Sequence, residues 1–284
     1  MQSGIYPPDE TMNSLLSENT RTVSDTHNEL AMDIKQYLKR ITYVGPISPT
    51  LEVLSKLQML HLLNVPFENL DIHNKTKIDL TNLFDKIVTR RRGGFCYELN
   101  GLFYELLVQL GFTVKMVSAR AYDGRGYGAE FDHMALIVEI MGDSYLADVG
   151  FGEFLFFPIK TELNTEISDP RGIFKIEIFD EFHQVVEKKN TEGSFIPEYI
   201  FSEKERRLEE FSEMCNYHQT NIASHFVRKR ICSLPTGNGR ITLTGNTLKI
   251  TENGKVSERV LNSEQQVTQA LWNYFGIKSF NVTD

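Results

Sequence analysis

Arg92-Gly93-Gly94-Phe95-Cys96-Tyr97-Glu98 carries a glycine pair and then a cysteine at the mouth of a strong helical pattern. Leu99, Leu102, Phe103, Leu106, Leu107 and Leu110 follow at helical spacing, and Gly111 supplies a stop. The glycines allow a tight backbone just before the helix. A first helical turn has N–H groups without intrahelical acceptors and lies at the positive end of the helix dipole. A thiol placed there is expected to be acidified, and the thiolate is the reactive form. The same N–H groups suit an oxyanion on an acyl carbon. Cys96 is therefore the candidate nucleophile.

A thiolate nucleophile requires a base. Among the histidines, His61 falls inside a helical stripe and reads as structural, whereas His133 opens the apolar strand Met134-Ala135-Leu136-Ile137-Val138. A polar residue there sits at a sheet rim. The next strand, Tyr145-Leu146-Ala147-Asp148-Val149-Gly150, holds one carboxylate in an apolar setting. Side chains alternate along strands, so a hairpin loop of even length puts Asp148 on the same face as His133. A loop centred on Met141-Gly142 makes them diagonal neighbours, within ~7–8 Å between Cβ atoms. A loop centred one residue later separates them further, and both registers stay open. Asp132 and Glu153 are the competing carboxylates, with Asp132 expected on the opposite face from His133. Cys96, His133 and Asp148 form a nucleophile–base–orienter set suited to acyl transfer.

Outward from this constellation, residues 30–111 have helical periodicity. Ser48-Pro49-Thr50 opens a helix that Pro66 stops, and Leu83, Phe84 and Ile87 give a short second one. From Phe112 the pattern turns to strands, over residues 112–121, 134–141, 145–149, 174–179 and 184–188. A charged helix is expected over 203–214. Strands return at 227–234, 239–243, 247–251 and 256–260, the last two joined by the hairpin signal Asn253-Gly254. A closing helix is capped by Ser263. Helices, then strands, then a mixture read as an α+β fold with segregated parts. Residues 1–28 are polar and read as a mobile tail.

The 284 residues give 41% hydrophobic and 24% charged side chains, the balance of an ordinary globular chain. A net charge of -8 lacks the basic footprint of a nucleic-acid binder. The local cluster Arg90-Arg91-Arg92 leaves room for an anionic small ligand, and Arg228-Lys229-Arg230 reads as a solvated face. Three cysteines, Cys96, Cys215 and Cys232, have neither disulfide-framework nor zinc-site spacing. No metal is expected. The start of the chain shows no apolar signal segment, and no stretch approaches the ~20 apolar residues of a membrane span. A reducing cytoplasm is the expected location.

Residues 92–103, Arg-Gly-Gly-Phe-Cys-Tyr-Glu-Leu-Asn-Gly-Leu-Phe, resemble the signature of the arylamine N-acetyltransferases. Val65-Pro66-Phe67-Glu68-Asn69-Leu70-Asp71, the run 133–138, and Asp148-Val149-Gly150-Phe151-Gly152 match in the same order. Tyr217-His218-Gln219-Thr220 with Ser224-His225-Phe226 resembles a run in the family's third domain. The resemblance covers about residue 30 to the C-terminus. It implies a helical bundle carrying the nucleophile (29–115), a central β-barrel (116–210) and a C-terminal α/β lid (211–284), around a cysteine-protease-like catalytic core. It implies acetyl transfer from acetyl-CoA, through an acetyl-cysteine, to an arylamine, arylhydrazine or N-hydroxyarylamine, with Cys96, His133 and Asp148 as triad. Phe67 and Phe151 are then expected to line the acceptor pocket, and Phe226 to sit near the cofactor. Tyr217 and Ser224 are the expected coenzyme A contacts. The chain departs from the family at Asn221, Ile222 and Ala223, where relatives carry Ser-Pro, and at Val227, where they carry Thr. The same triad would also serve an amide synthase or a papain- or transglutaminase-like hydrolase. A non-catalytic binding protein keeping the fold would not need all three residues.

Overall fold

Helix α1 (Ile34–Arg40) and helix α2 (Leu51–Asn64) come first in the computed structural model, which describes residues 32–278 of the 284. The tail expected over residues 1–28 lies outside the described residues. The α2 cap is Thr50, whose hydroxyl accepts from the Val53 N–H at 3.3 Å, so Ser48 and Pro49 precede the helix. A two-residue strand β1 (Phe67–Glu68), helix α3 (Leu70–His73) and a π-helical turn (Asp85–Thr89) lead to α4 (Cys96–Gln109). Residues 96–103 of α4 are all buried, and the helix packs on strands β2 (Thr113–Ala121) and β3 (His133–Ile140). The start of this helix is buried on all sides, with Glu98 and Asn100 as its partnered polar groups, and the nucleophile candidate goes into the interior with it.

Strands β4 (Asp143–Ala147), β5 (Ile159–Lys160), β6 (Ile167–Asp169), β7 (Gly172–Ile178), β8 (Gln184–Lys189) and β9 (Phe195–Arg206) complete an eight-stranded sheet. Its antiparallel order is β5-β4-β3-β2-β9-β8-β7-β6, and a bridge between Leu163 and Ile176 brings its ends into a nearly closed barrel. Ala119, Ala135, Ile137, Leu146, Phe174, Val186 and Phe201 fill the interior. The β3–β4 hairpin turns on Met141 (φ 54°) and Gly142 (φ 88°), with Ile140 opposite Asp143. That is the first of the two registers left open by the sequence, and it makes His133 and Asp148 diagonal neighbours.

After a 3-10 turn (Leu208–Phe211) come α5 (Ser212–Thr220) and α6 (His225–Arg228). A second sheet is ordered β1-β10-β11-β12-β13, from β10 (Ile231–Thr236), β11 (Gly239–Thr244), β12 (Thr247–Glu252) and β13 (Lys255–Val260). Asn253 (φ 49°) and Gly254 (φ 76°) make the expected hairpin. Helix α7 (Glu264–Phe275), capped by Ser263, buries Val267, Leu271 and Phe275 against Leu243 and Leu248.

Two expectations are corrected. The charged helix over 203–214 does not form, because residues 203–206 end β9 and the helix begins only at Ser212. Strand β9 pairs with β8 only as far as Phe201 but with β2 as far as Arg206, and the β2 ladder at Glu205 and Arg206 outweighs the helical look of Glu203-Lys204-Glu205-Arg206. The strand expected over 227–234 begins at Ile231 instead. Ser224 accepts from the Phe226 N–H at 3.3 Å and caps the short helix α6 in its place.

Candidate active site

Cys96 opens α4 at a turn the glycines make possible by close approach rather than by unusual dihedrals. A Cβ on Gly93 would stand 1.9 Å from the Pro66 carbonyl oxygen, and one on Gly94 would stand 2.7 Å from the Glu98 Cβ. The left-handed residue is Arg91, at φ 54°. Glu98 Oε2 accepts the Phe95 N–H at 3.1 Å, fixing the helix start.

Beneath this turn lies a buried charge cluster. Arg92 binds Glu68 at 2.7 Å and Asp71 at 2.8 Å, and Lys86 binds Asp71 and Glu98 at 2.7 Å each. The sequence left Arg92 a choice between Glu98 and Glu68; the structure pairs it with Glu68, and Glu98 goes to Lys86. Burial pushes the Glu98 carboxyl up to about 7, with Lys86 opposing and Glu68 reinforcing the rise.

His133 Nε2 lies 2.7 Å from Asp148 Oδ2, with both side chains buried. That contact assigns the proton to Nε2 and leaves Nδ1 as the basic nitrogen. Asp148 also accepts from the Tyr199 hydroxyl at 3.2 Å, Asn100 Nδ2 at 2.9 Å and the Gly150 N–H at 2.8 Å. Asn100 further donates to the Met134 carbonyl at 2.7 Å and accepts the Val149 N–H at 2.9 Å. One turn beyond Cys96, this amide joins the helix of the sulfur to the strands of the imidazole and the carboxylate. Gly150 lies so close that a Cβ there would meet the Cys96 Cα at 2.8 Å.

Burial of the sulfur opposes the acidification expected from the helix start. Burial pushes the Cys96 thiol well up, and the charges of Asp132 and Asp148 add to the rise; only the Met134 N–H pulls it down. A dipole end worth a fraction of a charge does not offset full desolvation of a thiolate. A proton acceptor beside the sulfur would offset this, and His133 lines the same cavity as Cys96. Asp132, expected to face away from His133, lines the same cavity. Asp132→Asn is expected to lower the thiol pKa and speed alkylation of Cys96 by iodoacetamide at pH 7, measured on the Cys96 peptide. Slower or unchanged alkylation would contradict this.

Cys96 and His133 open on a cavity of about 420 Å³ walled by Phe67, Phe151, Phe226 and Arg240. Phe151 packs edge-on against the His133 ring at 5.0 Å, and Phe226 stands 6.1 Å from Phe67 and 5.8 Å from Phe95. The structure thus gathers the triad and all three phenylalanines in one place. Tyr217 lines a neighbouring open groove with Arg125 and Arg228, which shares Asp132, His218 and His225 with the cavity. Ser224 is buried, its hydroxyl engaged by the Phe226 N–H and by His218 Nδ1 at 3.1 Å.

The N-acetyltransferase family model matches residues 50–281. An arylamine N-acetyltransferase of Mycolicibacterium smegmatis is 33% identical over 257 residues, covering 87% of this chain and 93% of the relative. A pineal gland isozyme from Gallus gallus is 34% identical over 245 residues, covering 78% of this chain and 83% of its own. The chain belongs to the arylamine N-acetyltransferase family. Solved family structures agree in fold. The Mycobacterium marinum enzyme in complex with CoA superposes with a TM-score of 0.80 at 30% identity, covering 89% of this chain and 95% of that one. A Bacillus cereus member with a Cys-His-Glu catalytic triad gives a TM-score of 0.80 at 28% identity, covering 87% and 99%. In the present chain the carboxylate hydrogen-bonded to the histidine is Asp148.

Sequence reasoning missed Asn100 and Tyr199, the two side chains that donate to Asp148 besides the histidine. Asn100 had a signal, a polar side chain four residues after Cys96 in an apolar stripe. Tyr199 had none, because 51 residues of chain separate it from the carboxylate it serves.

Proposed function

We propose that this chain transfers an acetyl group from acetyl-CoA to an arylamine, arylhydrazine or N-hydroxyarylamine in two covalent steps through acetyl-Cys96. The observation that carries this reading is the buried His133–Asp148 contact at 2.7 Å, on the wall of the cavity where Cys96 heads a helix. In the first step His133 Nδ1 accepts the Cys96 proton while the sulfur attacks the thioester carbon. The backbone N–H groups at the start of α4, which have no intrahelical acceptor, face the developing oxyanion. The carbonyl re-forms, the C–S bond to coenzyme A breaks, and His133 returns its proton to the departing thiolate. In the second step the acceptor nitrogen attacks the acetyl-Cys96 carbon. Its proton passes to His133 and then to the Cys96 sulfur as the C–S bond breaks. Asp148 holds the imidazole tautomer and stabilises the imidazolium in both steps.

Flat apolar walls from Phe67, Phe151 and Phe226 suit an aromatic acceptor. The groove beside Tyr217, with Arg125 and Arg228 on its walls, supports a route for the phosphate-bearing arm of coenzyme A. Ser224 acts in this reading as the cap that presents His225 and Phe226 to the cavity. Three free cysteines fit a reducing cytoplasm.

Mass spectrometry after mixing the protein with acetyl-CoA alone tests the reading. One acetyl group is expected, on the peptide containing Cys96, and adding an arylamine should discharge it. Modification elsewhere, or none without an acceptor, would refute the two-step route.

A further inference from the structure

A second cavity, of about 620 Å³, lies between the segment that leads into the nucleophile turn and the end of α7. Arg90, Arg91 and Arg92 line it from the first, Trp272 and Lys278 from the second. It shares no lining residue with the cavity of Cys96 or with the groove beside Tyr217. Among the described residues, four cationic side chains and no carboxylate face it. Here the cluster Arg90-Arg91-Arg92, unused by the acetyl-transfer chemistry, places its charge.

Two of the four charges are already met. Arg90 pairs with Asp85 at 2.7 Å, and Arg92 is held by Glu68 at 2.7 Å and Asp71 at 2.8 Å. Arg91 and Lys278 are exposed and make no ion pair among the described residues. Arg91 is left-handed at φ 54°, a conformation that its surroundings must hold. The Arg90 N–H donates to the Asp85 carbonyl at 2.8 Å and the Arg92 N–H to the Lys86 carbonyl at 3.0 Å, fixing the chain on either side. Behind them Arg40 is buried and donates to the Ile87, Asn64 and Arg92 carbonyls. Burial pulls its guanidinium down to about 10, the Arg91 charge deepens the fall, and Tyr37 opposes it. Positive charge is thus crowded here beyond what the neighbouring acids balance. Beside it stands Trp272, 48% exposed, on a helix that buries Leu271 and Phe275.

We propose that this cavity binds a nucleoside diphosphate, its base against Trp272 and its phosphates on Arg91 and Lys278. Two unpaired cations call for a ligand with more than one negative charge, and a guanidinium meets phosphate oxygens through paired hydrogen bonds. An indole offers a base a flat face for stacking. The volume falls in the range of small-ligand sites. The chain's net charge of -8 does not bar an anion, because exposed charges more than about 8 Å away are largely screened at physiological salt. Arg92 lines this cavity and also braces Glu68 and Asp71 beneath Cys96, so the site stands back to back with the nucleophile turn.

The chain has a single tryptophan, so its fluorescence reports on this cavity. Titrating the full chain with ADP should change the Trp272 emission saturably, and added salt should weaken the binding. Adenosine and pyrophosphate, each carrying half of the ligand, should bind more weakly than ADP. Arg91→Gln combined with Lys278→Gln should weaken ADP by about tenfold, the scale of a charged hydrogen bond. Trp272→Ala, followed by calorimetry, should weaken it as well. Coenzyme A also carries a nucleotide, so the KM for acetyl-CoA is measured in the same double variant and should not change. An emission indifferent to ADP, equal ADP affinity in the double variant, or equally tight binding of adenosine or pyrophosphate alone would overturn the proposal. So would a raised KM for acetyl-CoA, which would make the cavity part of the cofactor route. The fluorescence titration needs no turnover, so its result stands apart from the fate of the acetyl-transfer reading.

Discussion

Cys96→Ser is expected to take up no stable acetyl group from acetyl-CoA and to lose acetyl transfer by at least ~10⁴-fold, the scale seen when a covalent nucleophile is removed. The substitution changes one atom at a buried position on the cavity wall, so the protein should remain folded. The hydroxyl is far harder to ionise than a thiol, and the surroundings make matters worse. Burial and the charges of Asp132 and Asp148 already oppose an anion at this point. Serine therefore inherits the penalties of the site without the acidity that lets sulfur overcome them. The measurements are adduct formation by mass spectrometry and steady-state transfer, with a circular dichroism melt to establish folding. Transfer at a tenth of the wild-type rate in folded Cys96→Ser would rule out the sulfur as the attacking atom.

His133→Ala removes the one base joined to the carboxylate. Burial and the charges of Asp132 and Asp148 would then hold the thiol protonated with nothing to receive its proton. Acetyl transfer is expected to fall by ~10⁴-fold or more, and alkylation of Cys96 at pH 7 by at least ~10²-fold. The sign of the pH dependence is diagnostic. A thiol raised by burial gains reactivity only as pH climbs, so the variant should show alkylation rising steadily through the alkaline range. The wild type should instead be reactive at neutral pH, because its proton moves a short way to an imidazole rather than to water. Asp148 keeps Tyr199, Asn100 and Gly150 as donors in the variant, so the loop that carries it should hold. Equal alkylation of variant and wild type at pH 7 would show that the imidazole does not share the sulfur's proton.

The residues of the candidate triad stand out in the sequence because each announces itself locally. A cysteine after glycines at a helix start, a histidine at a strand mouth and a lone acid in an apolar strand all stand out one at a time. The hairpin between the last two needed one fact the sequence left open, the centring on Met141-Gly142, and a left-handed pair supplied it. The ionisation state was not legible, since a helix start is written in sequence while burial is written in packing. Strand β9 misled for a related reason. Residues 203–206 alternate charges as a surface helix does, yet β2 pairs with Glu205 and Arg206. Arg240 was silent as well, since nothing in Gly239-Arg240-Ile241 says that a strand far along the chain ends its side chain beside Gly152.

The two residues of β1 have an engineering consequence. Phe67 pairs with Ser233 across the C-terminal sheet and bridges to Gly94, and the Glu68 N–H donates to the Gly94 carbonyl at 2.8 Å. Next to them, the Asn69 side chain clasps the Phe226 and Lys229 carbonyls and the Ile231 N–H. Anyone building hybrids between members of this family cannot treat the last third of the chain as an exchangeable cassette. Grafting it without residues 67–69 would unfasten the loop beneath Cys96, and selectivity exchanged that way would arrive with a disturbed helix start.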